Sequence, residues 1–193
     1  MSENIFSTVQ FLKSVDAPQK LGLSQVEVAF VGRSNVGKSS LLNALCGQQA
    51  LARVSNTPGR TRTINVFTVQ DGKWSVDLPG YGFASHVTRK EQNGWLRMLE
   101  LYLSGRKSLK AVFVLVDASI GASKLDRGMI EWLEKIGMPC CLVANKIDKI
   151  AQPKFTEHCK ALAQGLEVTP EQITWVSAKK GTGIQELQRI VSG

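Results

Sequence analysis

The feature that most constrains the fold of this chain is segment 32–39, which reads Gly-Arg-Ser-Asn-Val-Gly-Lys-Ser. It matches the phosphate-loop (P-loop) pattern G-x-x-x-x-G-K-[ST] at every fixed position. The preceding segment 26–31 is apolar and rich in β-branched residues, which is typical of a buried strand. Segment 40–45 repeats apolar residues at helical spacing. A strand, a glycine-rich loop and a helix in this order predict a phosphate-binding fold.

The P-loop predicts a site for a nucleoside triphosphate. Its glycines allow backbone N–H groups to surround a phosphate chain, and the amino terminus of the following helix directs its positive end at the same anion. We expect Lys38 to contact the β- and γ-phosphates and the Ser39 hydroxyl to bind Mg²⁺. The other phosphate-binding candidates in this loop are Gly32, Arg33, Ser34, Asn35, Val36 and Gly37.

Two later segments predict which base is bound. Asn-Lys-Ile-Asp at 145–148 follows an apolar run, so it is expected at the carboxyl edge of the sheet, where ligands of open α/β folds bind. A carboxylate at Asp148 can accept hydrogen bonds from N1–H and N2–H₂ of guanine, whereas adenine has no matching pair of donors. Val176, Ser177 and Ala178 end the next strand, and a backbone N–H near Ala178 is expected to reach guanine O6. The base is predicted to be guanine.

Two further elements lie between these motifs. Asp77, Leu78, Pro79 and Gly80 follow an alternating strand; Asp77 is expected to hold Mg²⁺ through a water, and the Gly80 N–H to sense the γ-phosphate. The loop 56–63 contains Gly59, Arg60, Thr61 and Thr63. Gly59 and Arg60 are further phosphate-binding candidates. Thr61 is the preferred Mg²⁺ ligand and Thr63 the alternative, because periodicity does not decide between them.

The order of these motifs resembles that of the Era-type GTPases, and it is most similar to the EngB family, also called YihA or YsxC. The resemblance is clearest at 30–35, 55–61 and 76–82, and it covers roughly residues 5–190. It implies a GTPase that binds GTP and GDP and acts in assembly of the large ribosomal subunit, in contact with its rRNA. We also expect a cytoplasmic, monomeric protein. The site residues that it implies are Ser39 and Thr61 for Mg²⁺, and Asn145, Lys146 and Asp148 for guanine.

The alternation of strands and helices predicts an α/β fold of the three-layer P-loop (Ras-like G domain) type. We expect a mainly parallel six-stranded sheet with one antiparallel strand and helices on both faces. Residues 1–25 are expected to form an amino-terminal extension, with a short strand or a turn of helix as the alternatives within it, and residues 26–193 a single G domain. The predicted strands are 26–31, 63–69, 73–78, 111–116, 139–144 and 172–176. The predicted helices are 38–47, 91–104, 123–137, 154–165 and 183–191. An Asp-Gly turn is expected between the second and third strands.

Composition supports a single globular domain with one sizeable core, since 43% of the 193 residues are hydrophobic. No run of 18 apolar residues and no secretory signal is visible, so no membrane contact is expected. The four cysteines show no metal-ligand spacing and are expected to be reduced core residues.

Positive charge is concentrated in the first part of the chain. Residues 1–110 hold fourteen Lys and Arg against seven Asp and Glu, whereas residues 111–193 hold ten against nine. Such an excess suits binding to a nucleic-acid backbone, although a solubilising surface is the alternative. The basic residues assigned to the P-loop and switch segments are Arg53, Arg60, Arg62, Arg89, Lys90, Arg97, Arg106, Lys107 and Lys110.

Hydrolysis is expected to be slow without a partner. Tyr81 occupies the position at which Ras-like enzymes have a water-orienting glutamine, and its hydroxyl is a poor substitute. His86 as a base, and Arg60 or Arg62 as an arginine finger in cis, are the alternatives considered. Asn35 resembles an asparagine that helps to hold K⁺ in some Era-type relatives.

These motifs predict a GTP-dependent switch whose loops at 50–63 and 79–93 are ordered by the γ-phosphate. An alternative is an RNA- or protein-binding module that uses guanine nucleotide as a structural ligand with little turnover. A nucleotide kinase fits poorly, because segment 145–148 has no purpose there.

Overall fold

The computed structural model describes residues 5–48, 51, 63–82 and 89–192. Within these residues there are seven strands: β1 (Gln10–Val15), β2 (Glu27–Gly32), β3 (Ile64–Thr68), β4 (Trp74–Asp77), β5 (Leu109–Asp117), β6 (Cys140–Asn145) and β7 (Ile173–Trp175). The described part of the chain contains five α-helices: α1 (Lys38–Leu45), α2 (Arg89–Gly105), α3 (Lys124–Lys135), α4 (Phe155–Gly165) and α5 (Ile184–Ser192). No helix in the described ranges is long and apolar enough to span a membrane.

The strands form one sheet in the order β1-β3-β4-β2-β5-β6-β7. Strand β3 runs antiparallel to both of its neighbours, and the pairs β2–β4, β2–β5, β5–β6 and β6–β7 are parallel. The predicted fold class, with one antiparallel strand, is therefore confirmed. The predicted count of six strands was wrong, because the amino-terminal extension supplies β1 at the edge of the sheet.

Strand β1 has a weak sequence pattern for a physical reason. It is an edge strand whose side chains are mostly exposed, with Phe11 and Leu12 both facing solvent. Its register shifts between Phe11 and Lys13, which interrupts the two-residue alternation expected of a strand. An alternation of buried and exposed residues is the main sequence signal of a strand, and β1 has almost none of it.

The strands β3 and β4 form an antiparallel hairpin. The last residue pair of this antiparallel ladder is Thr68 with Trp74, so five residues join the strands. The predicted hairpin is confirmed, and the Asp-Gly dipeptide lies in the turn, which is a short 3₁₀ helix at Gln70–Gly72. Gly72 ends that turn in the left-handed region, at φ 71°.

Two hydrophobic cores cover the two faces of the sheet. One contains buried side chains of α2, α3 and α4, and the other contains those of α1 and α5. Successive residues of the central strand β5 alternate between them: Val114 belongs to the first core and Phe113 to the second. Cys140 and Cys141 likewise pack on opposite faces, as predicted for adjacent residues of a strand. The three layers therefore follow from the alternation of side chains along each strand, which buries successive residues on opposite faces of the sheet.

A buried ionic network lies at the amino edge of the sheet, opposite the carboxyl ends of the parallel strands. Glu27 is fully buried at the start of β2 and is paired with Arg106 just after α2. Burial opposes the charged form of Glu27, but hydrogen bonds from Arg106, Ser24, Tyr102 and Ser108 outweigh it and lower the pKa of Glu27. This network fastens the extension and the end of α2 to the sheet.

Candidate nucleotide-binding site

The described candidate residues meet at the carboxyl edge of the sheet. The segments that follow β2, β4, β5, β6 and β7 emerge there side by side, because these strands are neighbours and run in one direction. Gly59, Arg60 and Thr61 lie outside the described residues, as do Arg53, Arg62 and His86. Ligands of open parallel sheets bind at this edge.

The P-loop bends sharply between β2 and α1. Asn35 and Gly37 both adopt left-handed backbone conformations, with φ of 63° and 94°. A Cβ atom added to Gly37 would lie 2.6 Å from Nδ2 of Asn145. Both the backbone angle and this close approach therefore require glycine at position 37.

Lys38 and Asp77 form a buried ion pair beside the P-loop. The two side chains are only 9% and 2% exposed, and the Lys38 ammonium donates to the Asp77 carboxylate. Lys38 begins α1 and Asp77 ends β4. The pair therefore joins the P-loop to the end of β4, the two places expected to bind phosphate and metal. A bound phosphate chain would have to share the Lys38 ammonium with Asp77.

The residues next to this pair fit a magnesium ion. Ser39 follows Lys38 on α1, is half-buried, and its hydroxyl has no hydrogen-bond partner among the residues that the structure describes. A hydroxyl oxygen and a carboxylate oxygen are the hard donors that Mg²⁺ prefers, usually with phosphate oxygens and waters completing the octahedron.

The segment after β4 lies directly against the P-loop. The N–H of Tyr81 donates to the Gly32 carbonyl at 3.1 Å, and the Tyr81 carbonyl accepts from the Ser34 N–H at 2.9 Å. A Cβ atom on Gly80 would lie 3.0 Å from the Gly32 oxygen and 3.2 Å from the Ser34 nitrogen. Gly80 therefore sits where a larger residue would press on the P-loop backbone, and Leu78 and Pro79 beside it are buried.

The Tyr81 side chain points to α3. Its hydroxyl donates to Oδ1 of Asp126 at 2.9 Å, and the residue is 4% exposed. Burial, followed by the negative charge of Asp126, raises the pKa of Tyr81 well above its ordinary value. From the sequence, this hydroxyl was expected to be a poor substitute for a water-orienting glutamine. In the structure it is hydrogen-bonded to Asp126. A capping pattern at 123–126 predicts the start of a helix but not this contact.

Asn145 joins the P-loop to the loop after β7. Its Nδ2 donates to the Val36 carbonyl at 3.1 Å, and its Oδ1 accepts from the Ala178 N–H at 3.1 Å. Asn145 is 1% exposed. From the sequence, a backbone N–H near Ala178 was expected to reach guanine O6. In the structure the Ala178 N–H donates to Asn145. Val176, just before this loop, is buried and donates its N–H to the Ala144 carbonyl.

Lys146 reaches across to two neighbouring loops. Its ammonium donates to the Asn35 carbonyl at 2.5 Å and to Oδ2 of Asp117 at 2.6 Å. Desolvation opposes the charged form of Asp117, but hydrogen bonds from Lys146 and Ser119 prevail and lower the pKa of Asp117. Sequence reasoning missed Asp117. The signal was present, because Asp117 follows an apolar strand, as Asn145 and Asp77 do.

Asp148 is the exposed member of this group. Its Oδ1 accepts a 2.5 Å hydrogen bond from the hydroxyl of Ser177, which is fully buried. The Ser177 hydroxyl in turn accepts from the Lys180 N–H at 3.0 Å. A buried hydroxyl thus orients an exposed carboxylate, which suits recognition of a flat base with two adjacent donors.

The basic residues predicted to surround the nucleotide are not all at this edge. Arg106, Lys107 and Lys110 precede or begin β5, so they lie at the amino ends of the parallel strands, on the far side of the sheet. Arg106 is also paired with Glu27. Their assignment to a basic face beside the nucleotide was therefore wrong.

Comparisons with known proteins agree with this geometry. The family model described as 50S ribosome-binding GTPase matches residues 27–146. The probable GTP-binding protein EngB of Pelotomaculum thermopropionicum is 46% identical over 166 residues, covering 86% of this chain and 83% of the relative. The probable GTP-binding protein EngB of Roseobacter denitrificans is 40% identical over 187 residues, covering 95% of this chain and 86% of the relative.

A solved structure shows the same fold. The crystal structure of a probable GTP-binding protein EngB superposes with a TM-score of 0.71 at 26% identity, covering 86% of this chain and 96% of the other. Family model, relatives and structure span the P-loop, the segment after β4 and the Asn145–Lys146 dipeptide. The chain therefore belongs to the EngB family of GTP-binding proteins and is a GTPase.

Proposed function

We propose that the chain acts in the cytoplasm as a monomeric, GTP-dependent switch in assembly of the large ribosomal subunit, with slow hydrolysis in the absence of that partner. The observation that carries the nucleotide part is the contact of Asn145 with both the P-loop and the loop after β7. It joins the phosphate-binding and base-binding elements into one site. The matched family, described as 50S ribosome-binding GTPases, supports the ribosomal part.

Guanine recognition is assigned to the residues after β6 and β7. Asp148 would accept from N1–H and N2–H₂ of guanine while the Ser177 hydroxyl holds its other side. Asn145 and Lys146 would contact the base edge and face. The Ala178 N–H would reach O6 by sharing its hydrogen between the base and Asn145. This arrangement would reject adenine, because adenine offers no pair of donors to the Asp148 carboxylate.

Phosphate binding is assigned to the backbone of residues 32–39, to Lys38, and to the loop containing Gly59 and Arg60. Ser39 and Thr61 would ligate Mg²⁺, with Asp77 contributing through water. Bound Mg²⁺ neutralises charge on the β- and γ-phosphates. The Lys38 ammonium would be shared between Asp77 and the phosphates, and the Gly80 N–H would donate to the γ-phosphate.

A potassium ion is proposed at Asn35. This residue is exposed at the bend of the P-loop, and its side-chain amide has no hydrogen-bond partner among the described residues. Single-turnover hydrolysis in K⁺ should be faster than in Na⁺ at equal ionic strength. Equal rates would contradict this assignment.

One substitution tests the base assignment. Asp148→Asn exchanges an acceptor for a donor, so the variant should lose affinity for GTP at least tenfold and gain affinity for xanthosine triphosphate. Asp16→Asn, which makes the same chemical change at an exposed site on the extension, should leave both affinities unchanged. Calorimetry with each nucleotide gives the answer. Unchanged GTP affinity in Asp148→Asn would contradict guanine recognition at this residue.

The ribosomal role is tested by co-sedimentation with purified 50S subunits across a salt series. Binding should be tighter with a non-hydrolysable GTP analogue than with GDP, and it should weaken as salt rises, because backbone phosphate contacts release counterions. Equal binding with both nucleotides, or no binding, would contradict a GTP-dependent role on this subunit.

A second candidate function is favoured by one observation. The Tyr81 hydroxyl donates to Asp126, so it is not free to orient an attacking water at Gly80. The chain would then be a binding module that keeps guanine nucleotide as a structural ligand with little turnover. Single-turnover hydrolysis with and without 50S subunits discriminates the two functions, since acceleration by the subunit supports the switch.

A further inference from the structure

Tyr81 is attached to the protein at three points. Its N–H and carbonyl are hydrogen-bonded to Gly32 and Ser34 of the P-loop, at 3.1 and 2.9 Å. Its hydroxyl donates to Oδ1 of Asp126, at the start of α3, at 2.9 Å. The residue therefore links the segment after β4 to the P-loop through its backbone and to α3 through its side chain.

The group that receives this hydroxyl is itself held rigidly. The second carboxylate oxygen of Asp126 accepts from the N–H of Ser123 at 3.0 Å and from the Ser123 hydroxyl at 2.6 Å. The Ser123 hydroxyl also accepts from the Asp126 N–H, which completes a capping box on α3. Asp126 is fully buried. Tyr81 thus bonds to a fixed point of the helix.

Gly80 lies between the two anchored parts of this segment. Leu78 donates its N–H to the Phe30 carbonyl on one side, and Tyr81 is held on the other. A Cβ atom on Gly80 would lie 3.0 Å from the Gly32 oxygen, so the P-loop backbone would have to move by a few tenths of an ångström to admit it. The Gly80 N–H lies in the peptide plane that Gly80 shares with Pro79, between the anchored residues Leu78 and Tyr81. Its direction therefore depends on where both of these residues are held, and Tyr81 is held in part by α3.

We propose that Tyr81 is a positioning residue for GTP hydrolysis, whose hydroxyl bond to Asp126 holds the Gly80 N–H in place for the γ-phosphate. This inference rests on the proposed function, since it assumes that Gly80 meets that phosphate. Tyr81 does not touch the attacking water, because its hydroxyl is committed to Asp126 and its ring contacts Trp95, with 6.4 Å between ring centroids.

The expected consequence is selective for the third phosphate. GDP has no γ-phosphate, so releasing Tyr81 from α3 should leave GDP affinity nearly unchanged while weakening a GTP analogue. A hydrogen bond to a carboxylate is worth about tenfold or more in an equilibrium constant. Part of that effect should reach the nucleotide through Gly80, so we expect the ratio of GTP-analogue to GDP affinity to fall about fivefold in Tyr81→Phe.

The test compares Tyr81→Phe with Ser123→Ala in the full-length chain. Tyr81→Phe removes only the hydrogen bond from the Tyr81 hydroxyl to Asp126. Ser123→Ala removes the two bonds of the Ser123 hydroxyl but keeps the Ser123 N–H bond that holds the Asp126 carboxylate, so the bond from Tyr81 stays in place. Tyr81→Phe should lower the analogue-to-GDP affinity ratio and slow single-turnover hydrolysis about tenfold. Ser123→Ala should keep both quantities within about twofold of wild type. A Tyr81→Phe variant that matches wild type in both would overturn the proposal.

A second variant separates positioning from direct catalysis. Asp126→Ala removes both the bond from Tyr81, which we call the tether, and the capping bonds of its carboxylate with Ser123. After the effect of Ser123→Ala is subtracted, Asp126→Ala should reproduce the effect of Tyr81→Phe. The double variant Tyr81→Phe with Asp126→Ala should show no further loss. If the Tyr81 hydroxyl instead oriented the attacking water directly, Tyr81→Phe would slow hydrolysis without changing the affinity for the GTP analogue. Asp126→Ala, which frees that hydroxyl, would then not slow hydrolysis. Either result would refute a positioning role for the bond from Tyr81 to Asp126. Failure of the proposed function would appear differently, as wild-type protein that binds neither nucleotide.

Discussion

Replacing Asn145 by Ala should damage both stability and nucleotide binding. The change removes a buried hydrogen bond to the Val36 carbonyl and a half-buried one from the Ala178 N–H, both at 3.1 Å. Each partner is then left unpaired, at about 1–3 kcal/mol apiece, so the free energy of unfolding should fall by roughly 2–6 kcal/mol. For a chain of this length, about 3 kcal/mol would lower the melting temperature by roughly 6–12 °C.

The nucleotide should be affected beyond this loss of stability, because Asn145 joins the P-loop to the loop after β7. We expect GDP affinity to fall at least tenfold, measured by calorimetry well below the melting temperature of the variant. Asn93→Ala is the matched control, since it makes the same chemical change at an exposed position of α2.

The reasoning would be refuted by a variant that stays close to wild type. If Asn145→Ala changed the free energy of unfolding by less than about 0.5 kcal/mol and GDP affinity by less than about twofold, the two hydrogen bonds would not join the loops energetically. Urea titration gives the first quantity and calorimetry the second, so each half of the expectation can fail separately.

Three further predictions concern stability and the P-loop. Arg106→Ala leaves the Glu27 carboxylate buried without its cation and should cost about 3–5 kcal/mol in urea unfolding, whereas Lys20→Ala breaks an exposed pair and should cost less than about 1 kcal/mol; equal costs would contradict this. The pKa of Glu27 is lowered from 4.5, so its contribution to stability is complete above pH 4.5 and is lost as pH falls through the lowered pKa. Below pH 4.5 the unfolding free energy of the wild type should therefore fall more steeply than that of Arg106→Ala. Parallel curves for the two proteins would count against the network. Gly37→Ala, at φ 94° and with its Cβ against a neighbouring amide, should lower GDP affinity at least tenfold, whereas Gly128→Ala, with open space in α3, should bind GDP normally; similar behaviour of the two would refute the steric argument.

Most of the fold and the nucleotide motifs could be predicted from local patterns. The P-loop is a continuous segment whose strand, glycines and helix all lie within about twenty residues, so its geometry depends little on the rest of the chain. The positions of Asp77 and Asn145 follow from one topological rule, which places the ends of parallel strands at a common edge. That rule needs only the location of each strand, and alternation of apolar residues supplies it.

Other features depend on which strands become neighbours, and periodicity does not contain that information. The bond from Tyr81 to Asp126 spans 45 residues, and that from Lys146 to Asp117 spans 29. Asp117 follows the same strand-end rule as its neighbours, yet its role depends on the adjacent packing of β5 and β6. The displacement of Arg106 to the far edge likewise follows from the direction of β5, not from its closeness in sequence to the switch segments.

Local sequence therefore determined the chemical class of the chain, a guanine-nucleotide P-loop protein, because backbone cradles and strand-end side chains are encoded over short distances. Tertiary structure alone decided the partners of those side chains: Tyr81 with α3, Asn145 with two loops, and β1 with the edge of the sheet. The physical reason is that hydrogen bonds and ion pairs form between groups that folding brings within about 3 Å, whatever their separation along the chain.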